Sequence, residues 1–216
     1  MTLDNLPAIQ KELKAAFKSV QAPIIDLIAA QTRDPFKILV GTILSARTKD
    51  ATTADACRRL FAEVDTLEDL KRIPVERLEK LIYPVGFFRM KAKHLKQLDY
   101  TELPDTVEGL CELPGVGRKT ANLVVSLAFD KPAICVDVHV HRITNRLGLI
   151  KTQTPFDTEM ELRRILPVKY WKSWNSLLVS FGQTRCAPRN PKCSDCPIRV
   201  YCAYGTKQKS RSKTGT

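Results

Sequence analysis

The chain has no apolar run that approaches the ~20 residues needed to span a membrane as a helix. Its N-terminal stretch, MTLDNLPAIQKELKAAF, mixes acidic and basic residues and lacks the apolar centre of a secretory signal. These two absences argue against the membrane and secreted classes. We therefore expect a protein of the cytoplasm that works without a membrane partner.

Acidic residues are scarce relative to basic ones. The 216 residues include 23 Asp and Glu against 35 Lys and Arg, which gives a formal net charge of +12. Such an excess indicates a polyanionic partner, and nucleic acid is the commonest. A basic surface that only keeps the protein soluble is the alternative. The apolar fraction of 44% is that of an ordinary globular protein, with enough length for one large or two small domains.

Strand signals are also nearly absent. Only AICV at 133–136 is compatible with a strand, and it has no hairpin partner. Helical periodicity dominates instead. Asp34 and Pro35 form an N-cap followed by a first-turn proline and open the apolar segment FKILVGTILSA. The segment TANLVVSLAF is almost entirely apolar and predicts a buried central helix. We predict an all-α fold of roughly ten helices joined by short loops.

The stretch ELPGVGRKTAN predicts a helix–hairpin–helix turn. Gly115 and Gly117 follow Pro114 and leave main-chain N–H groups uncovered at the start of a helix, where Arg118 adds positive charge. A helix N-terminus carries unpaired donors and partial positive charge, which suits a phosphate. A plain corner between two helices is the alternative, and the net charge favours binding of the DNA backbone.

Lys119 stands beside Arg118 at the positive end of this helix. The charge of Arg118 and the positive end of the helix both disfavour the ammonium form, so we predict a lowered pKa for Lys119. The resulting amine would be nucleophilic and able to form a Schiff base with a sugar aldehyde. This chemistry needs a carboxylate, and Asp137 in CVDVHVHR is the candidate. Taken alone, Asp137 is more typical of an N-cap for the helix that follows, and the two roles are compatible.

Seven cysteines are present, and four of them crowd into one short segment, with the spacing Cys186, six residues, Cys193, two residues, Cys196, five residues, Cys202. An odd total in a reducing compartment argues against a disulfide framework and for a metal site. Four thiolates suit zinc or an iron–sulfur cluster. The first interval is long for a zinc hook, which favours a cluster from spacing alone without deciding the question.

Together, LPGVGRKTAN, VDVHVHRITNRLGL and the four-cysteine segment resemble the endonuclease III family of helix–hairpin–helix DNA glycosylases. The resemblance runs from about Pro35 to Cys202. It implies a 4Fe–4S cluster on the four cysteines and two helical lobes with DNA in the cleft between them. It assigns 23–131 to a six-helix barrel domain, 1–22 with 132–205 to the iron–sulfur domain, and 206–216 to a disordered basic tail.

The resemblance also implies the activity. Lys119 matches the family's nucleophile and Asp137 its carboxylate. The implied reaction is excision of oxidised pyrimidines followed by β-elimination at the abasic sugar. The implied partner is double-stranded DNA that contains oxidised pyrimidines or abasic sites, and we expect the protein to be a monomer. A damaged base must leave the helical stack before it can be reached.

Two further segments match the family's DNA-reading loops. LSARTKD at 44–50 resembles the loop that fills the space left by the base, with Ser45 and Asp50 lining the pocket. PVGFFRMKA at 84–92 resembles the wedge loop and makes Phe87 the side chain pushed into the stack, although a core aromatic is the alternative. Many family members carry glutamine where this chain has Arg47. Arginine pairs well with guanine, so we predict a preference for guanine opposite the lesion.

Two other functions stay open at this point. A monofunctional mismatch glycosylase of the same superfamily is one, but such relatives usually lack a lysine at the position of Lys119. A noncatalytic DNA-binding module that carries the cluster as a structural or redox element is the other. The presence of both Lys119 and Asp137 argues against it.

Overall fold

The computed structural model describes residues 3–16 and 24–207. Over this part of the chain it contains thirteen α-helices, three short 3₁₀ helices and no strand, which confirms the all-α prediction. The helix number exceeds the expected ten because Leu6–Ala16, Ile24–Thr32 and the five-residue segment Ala203–Lys207 also form helices. The predicted tail lies outside the described residues from position 208 onward.

The chain divides into two compact units, one formed by Gln21–Ala133 and the other by Met1–Val20 with Ile134–Thr216. The first unit, here called the hairpin unit, contains eight α-helices in its described part. They are α2 (Ile24–Thr32), α3 (Pro35–Ser45), α4 (Asp50–Phe61), α5 (Leu67–Arg72), α6 (Val75–Ile82), α7 (Phe88–Lys96), α8 (Val107–Cys111) and α9 (Arg118–Ala128).

Helix α3 is the centre of the hairpin unit. Every residue from Ile38 to Leu44 is buried, and the helix packs against α2, α4, α7 and α9. Asp34 caps it as predicted, because its Oδ1 accepts from the Phe36 N–H at 2.9 Å. The sequence had favoured TANLVVSLAF as the central helix. That segment is α9, which packs on α3 but leaves Leu123 and Leu127 only partly buried.

The second unit, here called the cysteine unit, contains α1 (Leu6–Ala16), α10 (Val138–Leu147), α11 (Pro155–Ile165), α12 (Trp171–Thr184) and α13 (Ala203–Lys207). Its core surrounds the fully buried Trp174. The N-terminal helix belongs to this core through the buried Ile9 and Leu13, and Gln10 donates to the Ser173 hydroxyl at 2.8 Å. The segment 133–136 is buried but forms no strand.

None of the helices in the described ranges is both long and apolar enough to cross a membrane.

Candidate nucleic-acid interface and active site

The turn between α8 and α9 has the predicted hairpin form. The Val116 N–H donates to the Leu113 carbonyl at 3.1 Å, and the Val116 side chain is buried beneath the turn. Gly115 adopts a left-handed backbone with φ of +79°. A Cβ at this position would lie 2.7 Å from Nδ1 of His94. Glycine is therefore required here both by conformation and by the close approach of α7.

The start of α9 faces open space. Gly117 is its N-cap, with an extended backbone and no side chain to cap the first turn. A Cβ added at Gly117 would meet none of the described atoms within 4 Å. The exposed Lys119 is the second residue of the helix, and the Arg118 guanidinium lies 3.5 Å from Glu108. This end of the helix combines main-chain donors, positive charge and an accessible amine, and so has the chemistry to bind a phosphate and present a nucleophile.

The loop between α3 and α4 presents Arg47 from a strained backbone. The φ of Arg47 is +55°, a left-handed value that non-glycine residues seldom adopt, and its side chain is exposed. Ser45 ends α3 and donates its hydroxyl to the Thr42 carbonyl at 2.9 Å. Asp50 begins α4, and its carboxylate accepts from the Ile24 N–H at 3.3 Å. Each of these two polar side chains is thus hydrogen-bonded to a main-chain group.

Phe87 lies at the turn between α6 and α7, and it is not a core residue. Its side chain is 59% exposed, so the alternative of a core aromatic is wrong. It too has a left-handed backbone, with φ of +59°. The Arg47 guanidinium sits 5.7 Å from the centre of its ring, within the range of a cation–π contact. The structure therefore brings these two predicted DNA-contact residues together on one surface of the hairpin unit.

Asp137 occupies the N-cap of α10, as its position in the sequence predicts. Its Oδ1 accepts from the N–H groups of His139 and Val140, each at 2.9 Å, and the residue is only 9% exposed. The cap fixes the carboxylate at a helix N-terminus, where negative charge is stabilised.

The four clustered cysteines of the cysteine unit line one pocket. Its empty volume, part of which is open solvent, is about 380 Å³. Burial, with smaller contributions from charge on Cys202, Cys193 and Cys186, raises the pKa of Cys196 to about 11. The four thiols are therefore close enough to repel one another when ionised. A bound cationic centre would reverse this repulsion and hold them as thiolates.

Basic residues of α10 hold the cysteine segment in place, which the sequence did not predict. Arg146 donates to the Cys186 sulfur at 3.3 Å and to the carbonyls of Ala187 and Pro188 at 2.7 and 2.8 Å. Arg142 donates to the Cys186 carbonyl at 2.9 Å. Hydrogen bonds to the ligand sulfurs and positive charge nearby are features that tune thiolate-bound iron–sulfur centres.

The four cysteines share one pocket. Within residues 3–16 and 24–207, no group of three or more His, Cys, Asp or Glu side chains is positioned to hold one metal ion. The four thiols nevertheless face one cavity together with Arg146, Arg185, Lys192 and Arg199. The donor set and its basic surroundings fit a negatively charged, thiolate-ligated group.

Comparison with known proteins agrees with this geometry. The model of the HhH-GPD superfamily base excision DNA repair proteins matches residues 40–168. Endonuclease III of Thermotoga maritima is 42% identical over 178 residues, which cover 79% of this chain and 84% of that protein.

Solved structures show the same likeness. A trapped endonuclease III–DNA covalent intermediate aligns with a TM-score of 0.80 and 33% identity, over 96% of this chain and 98% of that one. A thermostable thymine-DNA glycosylase aligns with a TM-score of 0.72 and 27% identity, over 93% and 100% of the two chains. The chain therefore belongs to the HhH-GPD superfamily of base excision DNA repair proteins and, within it, to the endonuclease III family.

Proposed function

We propose that this protein is a bifunctional DNA glycosylase and abasic-site lyase that removes oxidised pyrimidines from double-stranded DNA and acts as a single chain. The observation that carries the proposal is the exposed residue Lys119, which follows the Gly115–Gly117 turn on the first turn of α9. Family membership supports the same reaction class.

The chemistry assigned to Lys119 is covalent. The nitrogen lone pair of Lys119 attacks C1′ of the flipped nucleotide, the N-glycosidic bond breaks, and the base leaves with the bonding electrons and takes one proton from that nitrogen. The remaining N–H proton passes to O4′ as the C1′–O4′ bond breaks, and the sugar ring opens to a Schiff base. Removal of a C2′ proton then expels the 3′ phosphate by β-elimination, and water releases Lys119 from the product aldehyde.

Asp137 is proposed to stabilise the positive charge that develops on the sugar. The α10 cap holds its carboxylate through Oδ1. Asparagine is as good an N-cap as aspartate, so Asp137→Asn removes the charge while keeping the cap. We expect this variant to fold and bind DNA normally but to release the base more slowly. Normal excision by this variant would remove the role assigned to Asp137.

The DNA contacts are proposed to come from three parts of the hairpin unit. The amides and positive charge at Gly115, Gly117 and Arg118 bind a backbone phosphate. Phe87 enters the stack at the lesion, where an aromatic ring replaces lost stacking, and Arg47 reads the opposite base. Ser45 and Asp50 line the pocket for the extruded base.

The cysteine pocket is proposed to hold a 4Fe–4S cluster on Cys186, Cys193, Cys196 and Cys202. When bound, such a cluster supplies a thiolate-ligated centre that ties the C-terminal segment to the rest of its unit. Analysis of the purified protein for iron, acid-labile sulfide and zinc tests this assignment. Comparable amounts of iron and sulfide support a cluster, whereas zinc without sulfide contradicts it.

Borohydride trapping tests the central assignment. The protein is incubated with abasic-site DNA and borohydride, and the covalent adduct is measured together with strand cleavage. We expect Lys119→Ala to lose both, while Lys71→Ala, which removes an exposed lysine paired with Asp99 at 2.6 Å, keeps both. Base release without adduct or strand cleavage in the wild type would indicate a monofunctional glycosylase. DNA binding without either reaction would indicate a noncatalytic module.

The opposite-base prediction has its own test. Excision of one oxidised pyrimidine is measured opposite each of the four bases for the wild type and Arg47→Gln. We expect the wild type to favour guanine and the variant to lose that preference, because glutamine lacks the bidentate guanidinium. A flat profile in the wild type would contradict the assignment of Arg47.

A further inference from the structure

A buried lysine lies behind the surface that carries Arg47 and Phe87. Lys91 belongs to α7 and is only 7% exposed. Its Nζ donates to the Leu44 carbonyl at 2.8 Å, the Ala46 carbonyl at 2.6 Å and the Thr48 hydroxyl at 3.2 Å. An ammonium group has three donors, so the three acceptors match its full capacity. The predicted site residues did not include Lys91.

The acceptors of Lys91 belong to the end of α3 and the loop that follows it. The last carbonyls of a helix have no partner within the helix, and the C-terminal end of a helix attracts a positive charge. Lys91 satisfies these carbonyls from a neighbouring helix. Burial lowers its pKa to about 8, which agrees with a cation enclosed by neutral acceptors.

The same loop is fastened to the turn that carries Phe87. The Gly86 N–H donates to the Thr48 hydroxyl at 3.2 Å. A Cβ at Gly86 would lie only 2.6 Å from the Arg47 carbonyl oxygen, so the loop and the turn meet backbone to backbone. Thr48 therefore joins both parts, because its hydroxyl accepts from Gly86 and from Lys91.

Arg47 and Phe87 both need such support. Each has a left-handed backbone, which costs a non-glycine residue energy and persists only where the surroundings enforce it. Arg47 lies one residue from Ala46 and one from Thr48, both of which accept from Lys91. Phe87 directly precedes α7, the helix that contains Lys91.

We propose that Lys91 is a positioning residue that locks the loop 44–48 to the turn 84–87, so that Arg47 and Phe87 meet DNA as one preformed unit. The proposal rests on the DNA-contact roles given above to Arg47 and Phe87. It deepens them by naming the group that sets their geometry before DNA arrives. Such preorganisation spares the ordering cost that binding would otherwise carry.

Lys96 provides a matched control. It lies in the same helix, and its Nζ donates to three carbonyls at the end of α5, those of Leu70 at 3.0 Å, Lys71 at 2.5 Å and Ile73 at 2.7 Å. Lys91→Met and Lys96→Met thus remove the same kind of interaction from two different helix ends. Thr48→Val removes the shared hydroxyl from a half-buried position and provides a second variant if Lys91→Met fails to fold.

Two measurements are made on each variant. Hydrogen exchange of the Gly86 amide in the protein without DNA reports the lock itself. The second measurement is the dissociation constant for an undamaged duplex divided by that for a duplex with an uncleavable abasic analogue. This ratio reports how far the lock contributes to the preference for damaged DNA. We expect Lys91→Met and Thr48→Val to speed exchange at Gly86, and Lys91→Met to lower the ratio about tenfold. Lys96→Met should leave both within about twofold.

The outcomes separate the two proposals. Unchanged Gly86 exchange in a folded Lys91→Met or Thr48→Val variant overturns the lock, as does faster exchange with an unchanged ratio. An equal fall of the ratio in Lys96→Met also overturns it, because the effect would then follow from lost stability. If Phe87→Ala and Arg47→Ala both leave the ratio unchanged in the wild-type background, the assigned DNA contacts fail instead.

Discussion

The hairpin unit contains two helix–turn–helix segments that have the same turn hydrogen bond and a buried valine at the same place. They differ in the groups that they expose at the turn. In the turn between α6 and α7, the Val85 N–H donates to the Ile82 carbonyl at 2.9 Å; between α8 and α9, Val116 donates to Leu113 at 3.1 Å. Both valines are buried, at 1% and 7% exposed. The segments LEKLIYPVGFFRMKA at 78–92 and LCELPGVGRKTA at 110–121, which loosely parallel each other in sequence, thus share a repeated local structure.

The two turns differ in where the left-handed residue falls. In the first turn it is Phe87, two positions after the buried valine and directly before α7; in the second it is Gly115, one position before the valine. The first turn consequently presents an aromatic side chain, and the second presents backbone and the open start of α9. The same local structure thus supports two proposed contacts with DNA, the insertion of an aromatic side chain into the base stack and the binding of a phosphate.

The largest expected effect is that of Gly115→Ala. The left-handed backbone alone costs a non-glycine residue about 1–2 kcal/mol. The new Cβ would also meet His94 at 2.7 Å, which pushes α9 away from α7. We expect a lower free energy of unfolding in urea and loss of both duplex binding and adduct formation. Wild-type stability in this variant would mean that the turn does not need its left-handed glycine.

Phe87→Ala should have a smaller effect, confined to binding. Since Phe87 is 59% exposed, stability should change by no more than about 0.5 kcal/mol. Affinity for a duplex with an abasic analogue should fall, because base–aromatic stacking contributes about 1–3 kcal/mol. Met90→Ala is the matched control, since Met90 is 57% exposed and lies three residues further along, on α7. Equal losses in the two variants would show that the turn presents no specific wedge.

Gly117→Ala should have the smallest effect on DNA binding. It tests phosphate binding at the start of α9 separately from the insertion of Phe87 into the base stack. Open space surrounds the new Cβ, so the cost to folding should be about 0.5–1 kcal/mol, from the poorer N-cap alone. A methyl group at the open end of α9 should push a phosphate outward. We expect the slope of log affinity against log salt to fall by about 0.9 for the lost contact. An unchanged slope with wild-type affinity would contradict phosphate binding at this turn.

Local sequence patterns predicted the N-caps of α3 and α10 correctly. Asp34 and Asp137 were both expected at N-caps, and both accept main-chain N–H groups there. A cap depends on groups only two or three residues away, so the pattern carries the information. The exposure of Phe87 was less certain from sequence, because an apolar residue beside another phenylalanine is equally typical of a core position.

Lys91 illustrates a contact that local patterns missed. It lies on the face of α7 shared by Phe88, Ala92 and Leu95, the last two of which are fully buried. A lysine at a position that helical periodicity places in the core was the one sequence feature that could have pointed to a role for Lys91. What it binds could not be read from the chain, because Leu44 is 47 positions away in the sequence. The support that Arg146 gives to Cys186, 40 positions away, is a similar case.

The sequence by itself determined the all-α class, the helix caps, the glycine-dependent hairpin and the crowding of four cysteines into one segment. Each depends on backbone preferences and hydrogen bonds within a few residues, which the order of amino acids sets directly. Tertiary structure decided that Arg47 meets Phe87, that Lys91 fastens the loop beneath them, and that arginines of α10 hold the cysteine pocket. Those contacts join distant parts of the chain, and only the packing of helices around the core of each unit brings their atoms within bonding distance.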